Sequence, residues 1–516
     1  NCLVTLSVMD RFTARQAAFL LGEEALPDHI KDFLKYNDFI RYYPRERIYV
    51  MHNILQNFSR NQFYQYQPEA FQKRVLRAAG QCCIAEGDFY SAMRFFFKLR
   101  DFDALLSTPF DVIYILNRRE NNIIEFLKEV INECPDEILC KYPFVMLMLS
   151  YVFQIDGEYE SYQKLCHLLD FVLNSNPEGL CKDELQQLMG EFLLLKSFTI
   201  YNDLKKVNEM QKAALKLLGE SSRFSLNEVP ITLGAKSVLG MFWREPGKLD
   251  ETLADMQRYL PYHSKLTCGQ GTGADCALQA EMMLMRGDYI SAETLCYKAL
   301  YQARSKNEIC ICLCVELILA QISIMRGDVD GFFTIIKNIK DYARENSKLY
   351  ILRMIDICLS VISVVLGTTD MVAKWLFDAE SIRKNVYYRA VPYVNTIYLY
   401  LLIRENRYAE LLGMVDNTIT MAKEMNYILP QVYCLVLKAR VCYTSGKESE
   451  ALESLEEAFA LALPDKIYMP FVQFTFMGDI LSKAYFWPHD MDMQRHFLYI
   501  VQLWRSKKSC SIIKRL

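Results

Sequence analysis

Histidine is scarce in this chain, with six in 516 residues at positions 29, 52, 167, 263, 489 and 496. None stands at zinc-site spacing from a cysteine pair, which argues against a structural metal centre. Catalytic signatures are missing as well. There is no G-x-S-x-G, no H-E-x-x-H and no cysteine–histidine pair in a glycine-rich setting, while carboxylates are spread along polar helix faces. The sequence therefore reads as non-enzymatic and metal-free. It also lacks G-x-x-x-x-G-K-[ST], so no P-loop phosphate cradle is present. Charge of one sign is lacking too: the net charge is -3, so no bulk field draws the chain onto a polyanion. The most apolar run, "ILRMIDICLSVISVVLG", is interrupted by Arg353 and Asp356 and falls short of the roughly 20 residues of a spanning helix; no membrane partner is expected. No initiator Met and no basic-then-apolar leader open the sequence, which reads as a processed chain or, in preference, a stretch of a longer protein.

Apolar residues, by contrast, are plentiful at 52%, against 23% charged, which excludes disorder and allows several cores or one long array. The 17 cysteines sit in apolar runs such as "CICLCVELILAQ", with no small loop-rich scaffold to staple. This fits a reducing, cytoplasmic setting, with Cys310, Cys312 and Cys314 as small core residues.

One pattern recurs. In "RGDYISAETLCYKAL", Gly287 ends one helix, Asp288 caps the next, and Ala292, Cys296 and Ala299 let two helices approach closely. The same frame returns at Gly247, Gly327, Gly367, Asn406 and Gly446, at steps of 39 or 40 residues. Looser versions stand at Gly87, Gly157 and Asn202. Between turns the apolar spacing is helical, so each frame predicts an antiparallel helix pair that buries its apolar face by stacking on the next. The fold class is mainly α: a solenoid of TPR-like (tetratricopeptide) hairpins with a period of about 40, preceded by a winged-helix-like domain.

That first domain rests on three features. "TARQAAFLLG" is a capped helix from Thr13 to Gly22, "PDHIKDFLKYN" starts a helix after Pro27, and "RYYPRERIYVMHN" is a β-hairpin leading into a third helix, "ILQNFSRNQFYQY". Domains are expected at 1–66 (winged-helix-like), 67–155 (bridging hairpins) and 156–516 (array). Arg41, Arg45 and Arg47 could serve a DNA-reading wing, but Asp28, Asp32 and Asp38 on the preceding helix are poor company for a polyanion.

The order "LSVMDRFTARQAAFLLG", "FIRYYPRERIYVMHNILQNF", "FQKRVLRAAGQCCIAEGDFYSAMRFFFKLRDFDAL" resembles the stretch that follows the ATPase domain in MalT-type regulators of the LuxR family, related to the STAND-type nucleotide switches. The resemblance is sharpest over the first ~105 residues and architectural beyond them. It implies a cytoplasmic transcription regulator whose middle region, held here, is a winged helix and a TPR-like sensor array. ATP or ADP would be bound only by an ATPase domain outside this chain, and DNA only through a C-terminal helix-turn-helix outside it. The implied partners are a small-molecule inducer or regulatory protein, the chain's own ATPase domain, and further copies of itself. Met51-His52-Asn53 resembles the Met-His-Asp signature of these switches, which implies a contact from His52 to a bound nucleotide phosphate. Asn53 departs from the usual acid, and an ordinary helix start explains the same residues.

A groove site follows from helical spacing. Positions about 13, 10, 6 and 3 before each turn face the concave side of such an array. They select Tyr393, Thr396 and Tyr400, then Tyr433, Arg440 and Tyr443, with Glu281 and Gln321 in earlier units. Aromatic faces with an acid, an amide and a guanidinium suit a small polar ligand; tyrosine filling helix corners is the plain structural explanation. The basic tail, with Arg505, Lys507, Lys508, Lys514 and Arg515, reads as a solvated linker. The competing functional class is a scaffold or adaptor that takes a peptide in the same groove.

Overall fold

The computed structural model describes residues 2–116, 122–177, 179–224 and 229–474, with Met477, Ile480, Leu481, Arg495 and Leu498. His489, His496 and the basic tail lie outside the described residues. The chain forms two compact units, Asn1–Met146 and Leu147–Leu516.

In the first unit, the Thr13 and Gly22 signals give the Ala14–Leu21 helix. Thr13 and Gln16 exchange hydrogen bonds as a capping box, and Gly22 closes the helix at φ 81°. Helices Asp28–Lys35 and Asn53–Tyr66 flank the hairpin β2 (Ile40–Tyr43) and β3 (Ile48–Met51). The hairpin is part of a three-stranded antiparallel sheet, because β1 (Arg11–Thr13) adds to β3 with Phe12 opposite Tyr49. Three residues are too short for a period-two signal, and Thr13 is already spoken for as a cap, so only tertiary pairing reveals this strand. Phe12 and Tyr49 stack at 5.8 Å and are buried. Arg41, Arg45 and Arg47 are exposed. Beyond the sheet, helices Glu69–Ala85 and Phe89–Leu99 pair through Gly80, where a Cβ would stand 2.6 Å from the Phe96 ring.

The second unit is the array. Gly247, Gly287, Gly327, Gly367, Asn406 and Gly446 all have φ between 58° and 89°, so the 40-residue frame is a repeating left-handed turn that favours Gly or Asn. Asp288 and Asp328 cap the helices after two of these turns by accepting from Ser291 N and Gly331 N. Outer helices are amphipathic: Val329–Glu345 buries only Phe332, Ile336 and Ile339. Inner helices are covered all round: Ile309–Arg326 buries every residue from Cys310 to Met325, the three thiols included. Ile309–Arg326 and Leu349–Leu366 have the length and hydropathy of membrane spans, and most of each is packed inside the protein. In Leu349–Leu366 the Asp356 carboxylate accepts from Trp375 Nε1 at 2.7 Å, and Arg353 lies over the same indole. All cysteines among the described residues are free thiols.

The Gly247 unit departs from the pattern. Its second helix, Leu249–Leu266, is complete, but its first is cut to Val238–Phe242. The chain from Val229 to Trp243 runs as a strap instead of a full inner helix.

Candidate functional site

The strap fills the concave side of the array. Pro230 and Gly234 interrupt helical continuation over this stretch, and only a turn and a half of helix, Val238–Phe242, forms after them. Each part of the strap meets a different inner helix. Ser237 Oγ donates to Glu281 Oε1 at 2.6 Å and Leu239 N to Glu281 Oε2 at 3.0 Å. The Cys314 thiol reaches Ala235 O at 3.8 Å. Gly240 lies against Tyr393, where an added Cβ would stand 2.4 Å from the ring. Lys236 sits over the Tyr433 ring at 5.7 Å, and Ile428 N donates to Trp243 O at 3.1 Å.

The strap ends in a strong anchor. Asp465, 3% exposed, accepts from Trp243 Nε1 at 2.8 Å, Gly247 N at 2.7 Å and Leu249 N at 2.9 Å. Three donors on one buried carboxylate fix the point where the strap re-enters the repeat pattern. A second segment of the chain joins it on the same side: Tyr468 N donates to Met285 O at 2.9 Å, and Phe474 stacks on Tyr400 at 5.7 Å.

The residues chosen by helical spacing therefore occupy the inner helices but do not form an open wall. Glu281, Gln321, Tyr393, Tyr400 and Tyr433 are buried, and Thr396, Arg440 and Tyr443 are partly exposed. Glu281, Tyr393, Tyr400 and Tyr433 are brought together by what covers them, namely the strap and the Tyr468–Phe474 segment. Thr396 Oγ1 bonds its own helix at Tyr393 O, and Gln321 Oε1 has no hydrogen-bond partner in the described structure. The correction concerns access. Counting back from a turn identifies the concave face, but cannot tell whether solvent or another part of the chain lies on it.

Burial governs the electrostatics. Desolvation pushes the Glu281 carboxyl above its ordinary range, opposed by the hydrogen bonds from Ser237 and Leu239 and by the Lys236 charge. Desolvation likewise lowers Lys236, opposed chiefly by Glu281. The two charges thus favour each other across the contact between inner helix and strap, which the Ser237 and Leu239 hydrogen bonds to Glu281 hold directly.

Beside the strap lies a cavity of about 60 Å³, bounded by Tyr151, Gln154, Phe198, Tyr201, His263 and Arg389 and by strap residues Ile231, Leu233 and Phe242. No spacing rule pointed to these residues. The available signal was the pile-up of bulky and polar side chains on faces that ordinary repeats fill with small ones. His263 is fully buried, with Nδ1 3.3 Å from Gln211 Oε1, and desolvation depresses its pKa to about 3 despite a neighbouring Gln270.

His52 is exposed at the N-cap of the Asn53–Tyr66 helix, where Nδ1 accepts from Ile54 N at 3.4 Å. An accepting Nδ1 puts the ring proton of the neutral form on Nε2. Phe39 packs edge-on to the ring at 6.2 Å.

An array of helix pairs with left-handed turns every 40 residues, wrapped around an internal strap, defines a TPR-type helical-repeat protein. The chain belongs to the MalT-like TPR region family, whose family model matches residues 189–481. That range takes in the strap, both walls of the groove and the Asp465 anchor. No curated protein matches the chain.

Proposed function

We propose that this chain is the signal-sensing and regulatory region of a LuxR/MalT-type transcription regulator, acting by binding rather than catalysis. In the resting state the strap occupies the groove, and a signal molecule or regulatory protein shifts the balance between strap-bound and strap-released forms. The observation that carries this reading is the strap itself. A groove already holding about fifteen residues of its own chain has two arrangements available, and any ligand with different affinity for the two biases them. Moving such a balance from 1:99 to 99:1 takes about 5.5 kcal/mol of differential affinity.

The N-terminal unit supports the regulator over a bare scaffold. Its two helices, Ala14–Leu21 and Asp28–Lys35, precede the hairpin and a third helix follows it, which is compatible with the winged-helix layout expected above, and His52 is exposed, as a phosphate contact from an adjoining nucleotide-binding domain would require. In this reading such a domain supplies ATP or ADP binding, a helix-turn-helix supplies DNA binding, and the active form self-associates in the cytoplasm.

The test is a thermal-shift screen of the chain with sugars, nucleosides and amino-acid derivatives, followed by hydrogen exchange across residues 229–243. A small molecule that stabilises the protein and changes exchange in the strap supports sensing. Peptides that displace the strap while no small molecule acts establish the adaptor instead.

A further inference from the structure

We propose that the cavity beside the strap is a binding site for a small monocarboxylate such as propionate, held by Arg389, Tyr151 and Gln154. This deepens the sensing reading by giving the ligand a chemical class, and its test is separable from that reading.

The cavity wall carries several buried donors, and its lining residues also include the buried Gln270 Oε1 and His263 Nε2. Arg389 is 5% exposed. Its guanidinium donates to Phe198 O at 2.7 Å, lies near Thr199 O at 3.5 Å and covers the Tyr201 ring at 4.1 Å. Among the described residues no carboxylate pairs with it. A buried cation without an anion is costly, and two carbonyl dipoles compensate only part of its lost hydration. Two further buried donors on the same wall, Tyr151 Oη and Gln154 Nε2, have no hydrogen-bond partner, and both residues are 2% exposed. One bound carboxylate would neutralise the charge and accept from both groups.

The remaining wall sets the rest of the ligand. Phe198, Ile231, Leu233 and Phe242 are apolar, which suits a short alkyl end and disfavours inorganic phosphate or a second charge. A cavity of about 60 Å³ has room for a small organic carboxylate as well as for water. Because Ile231, Leu233 and Phe242 belong to the strap, a filled cavity would bear directly on the segment that closes the groove.

The experiment is calorimetric titration of the full chain with sodium acetate and sodium propionate, with sodium chloride at matched ionic strength and 1-propanol as controls. Propionate is expected to bind saturably at one site, with no saturable response to chloride or propanol. Tyr151→Phe and Gln154→Leu each delete an unpaired buried donor, so the ligand-free protein should melt at the same temperature or higher. Each should weaken propionate roughly tenfold, the loss of one hydrogen bond to a charged acceptor. Arg389→Gln should abolish binding; if it fails to fold, the two conservative variants decide the matter alone. No saturable heat from either acid, an equal response to propanol, or unchanged affinity in both variants overturns the proposal and leaves waters as the occupants. Hydrogen exchange of residues 229–243 then separates the two claims. Propionate bound without any change in strap protection upholds the site and counts against sensing. A strap released by a different molecule, with propionate silent, counts against the site alone.

Discussion

Gly240→Ala tests the strap–groove contact at its tightest point. The added methyl would stand 2.4 Å from Tyr393 Cε1 and 2.7 Å from its Oη. Tyr393 is 2% exposed, and its ring is backed by Tyr427 at 5.1 Å, so it has no room to retreat. Overpacking of this kind costs about 1–3 kcal/mol. Alanine in place of glycine inside a short helix returns up to about 1 kcal/mol, which leaves up to about 2 kcal/mol against the closed strap. Because the second unit is too large for a simple two-state transition, the assay is native-state hydrogen exchange of the strap amides, which reads local opening. Leu239 N and Gly240 N, bonded to Glu281 and Ser237, should exchange faster, by up to about thirtyfold. Tyr393→Leu vacates the space and should make the methyl harmless, so the double variant should show about 1–3 kcal/mol of favourable coupling. Tyr393→Phe leaves Cε1 in place and should not rescue. Strictly additive costs, or equal rescue by Phe and Leu, would refute the claim that Gly240 is seated on this ring.

Three further outcomes are expected. Asp465→Ala removes the acceptor of three buried donors and should destabilise the second unit by about 3 kcal/mol or more, read as a lower melting temperature with red-shifted indole emission from Trp243. Two buried groups near the cavity titrate in opposite senses: His263, depressed to about 3 from 6.5, withdraws stability as pH falls below 6.5, and Glu308, raised by burial to about 7 from 4.5, withdraws it as pH rises above 4.5. Their slopes oppose each other between those two values, so Glu308→Gln should expose a stability that declines with falling pH by up to about 1.4 kcal/mol per unit, measured as the variant's denaturation midpoint against pH. His52→Ala, at an exposed N-cap, should cost the first unit about 1 kcal/mol or less by urea unfolding, while raising nucleotide release in a protein that also carries the ATPase domain; an unchanged release rate there removes the phosphate role.

The repeat was legible because its determinants are local. A left-handed turn demands Gly or Asn at one position, and an aspartate one residue later can cap the next helix without reference to the rest of the chain. Gly287-Asp288 and Gly327-Asp328 could therefore be read directly, as could the Thr13-to-Gly22 helix with both its caps. The strand Arg11–Thr13 was not legible, since three residues gain strand geometry only by pairing with Ile48–Val50. The concave side was half legible. Spacing chose the inner-helix face, and Glu281, Tyr393 and Tyr433 do lie there, but what covers them comes from elsewhere in the sequence.

Two signals for that cover were nevertheless in view. "CICLCVELILAQISIM" is apolar on every face, and a helix of a two-layer array needs only the faces that meet its neighbours to be apolar. A third covered face implies a third layer. The Gly247 unit supplies it: where an inner helix should precede the turn, "VPITLGAKSVLGMFW" offers Pro230 and a left-handed Gly234 that spoil a helix, among apolar residues that still need burial. A segment that cannot complete its helix, yet cannot stay in water, is driven into the nearest apolar surface, which is the groove its own repeat helps to form. The irregular unit is thus the part of the array whose local preference and tertiary position disagree, and such disagreement is where a fold keeps a second arrangement within reach.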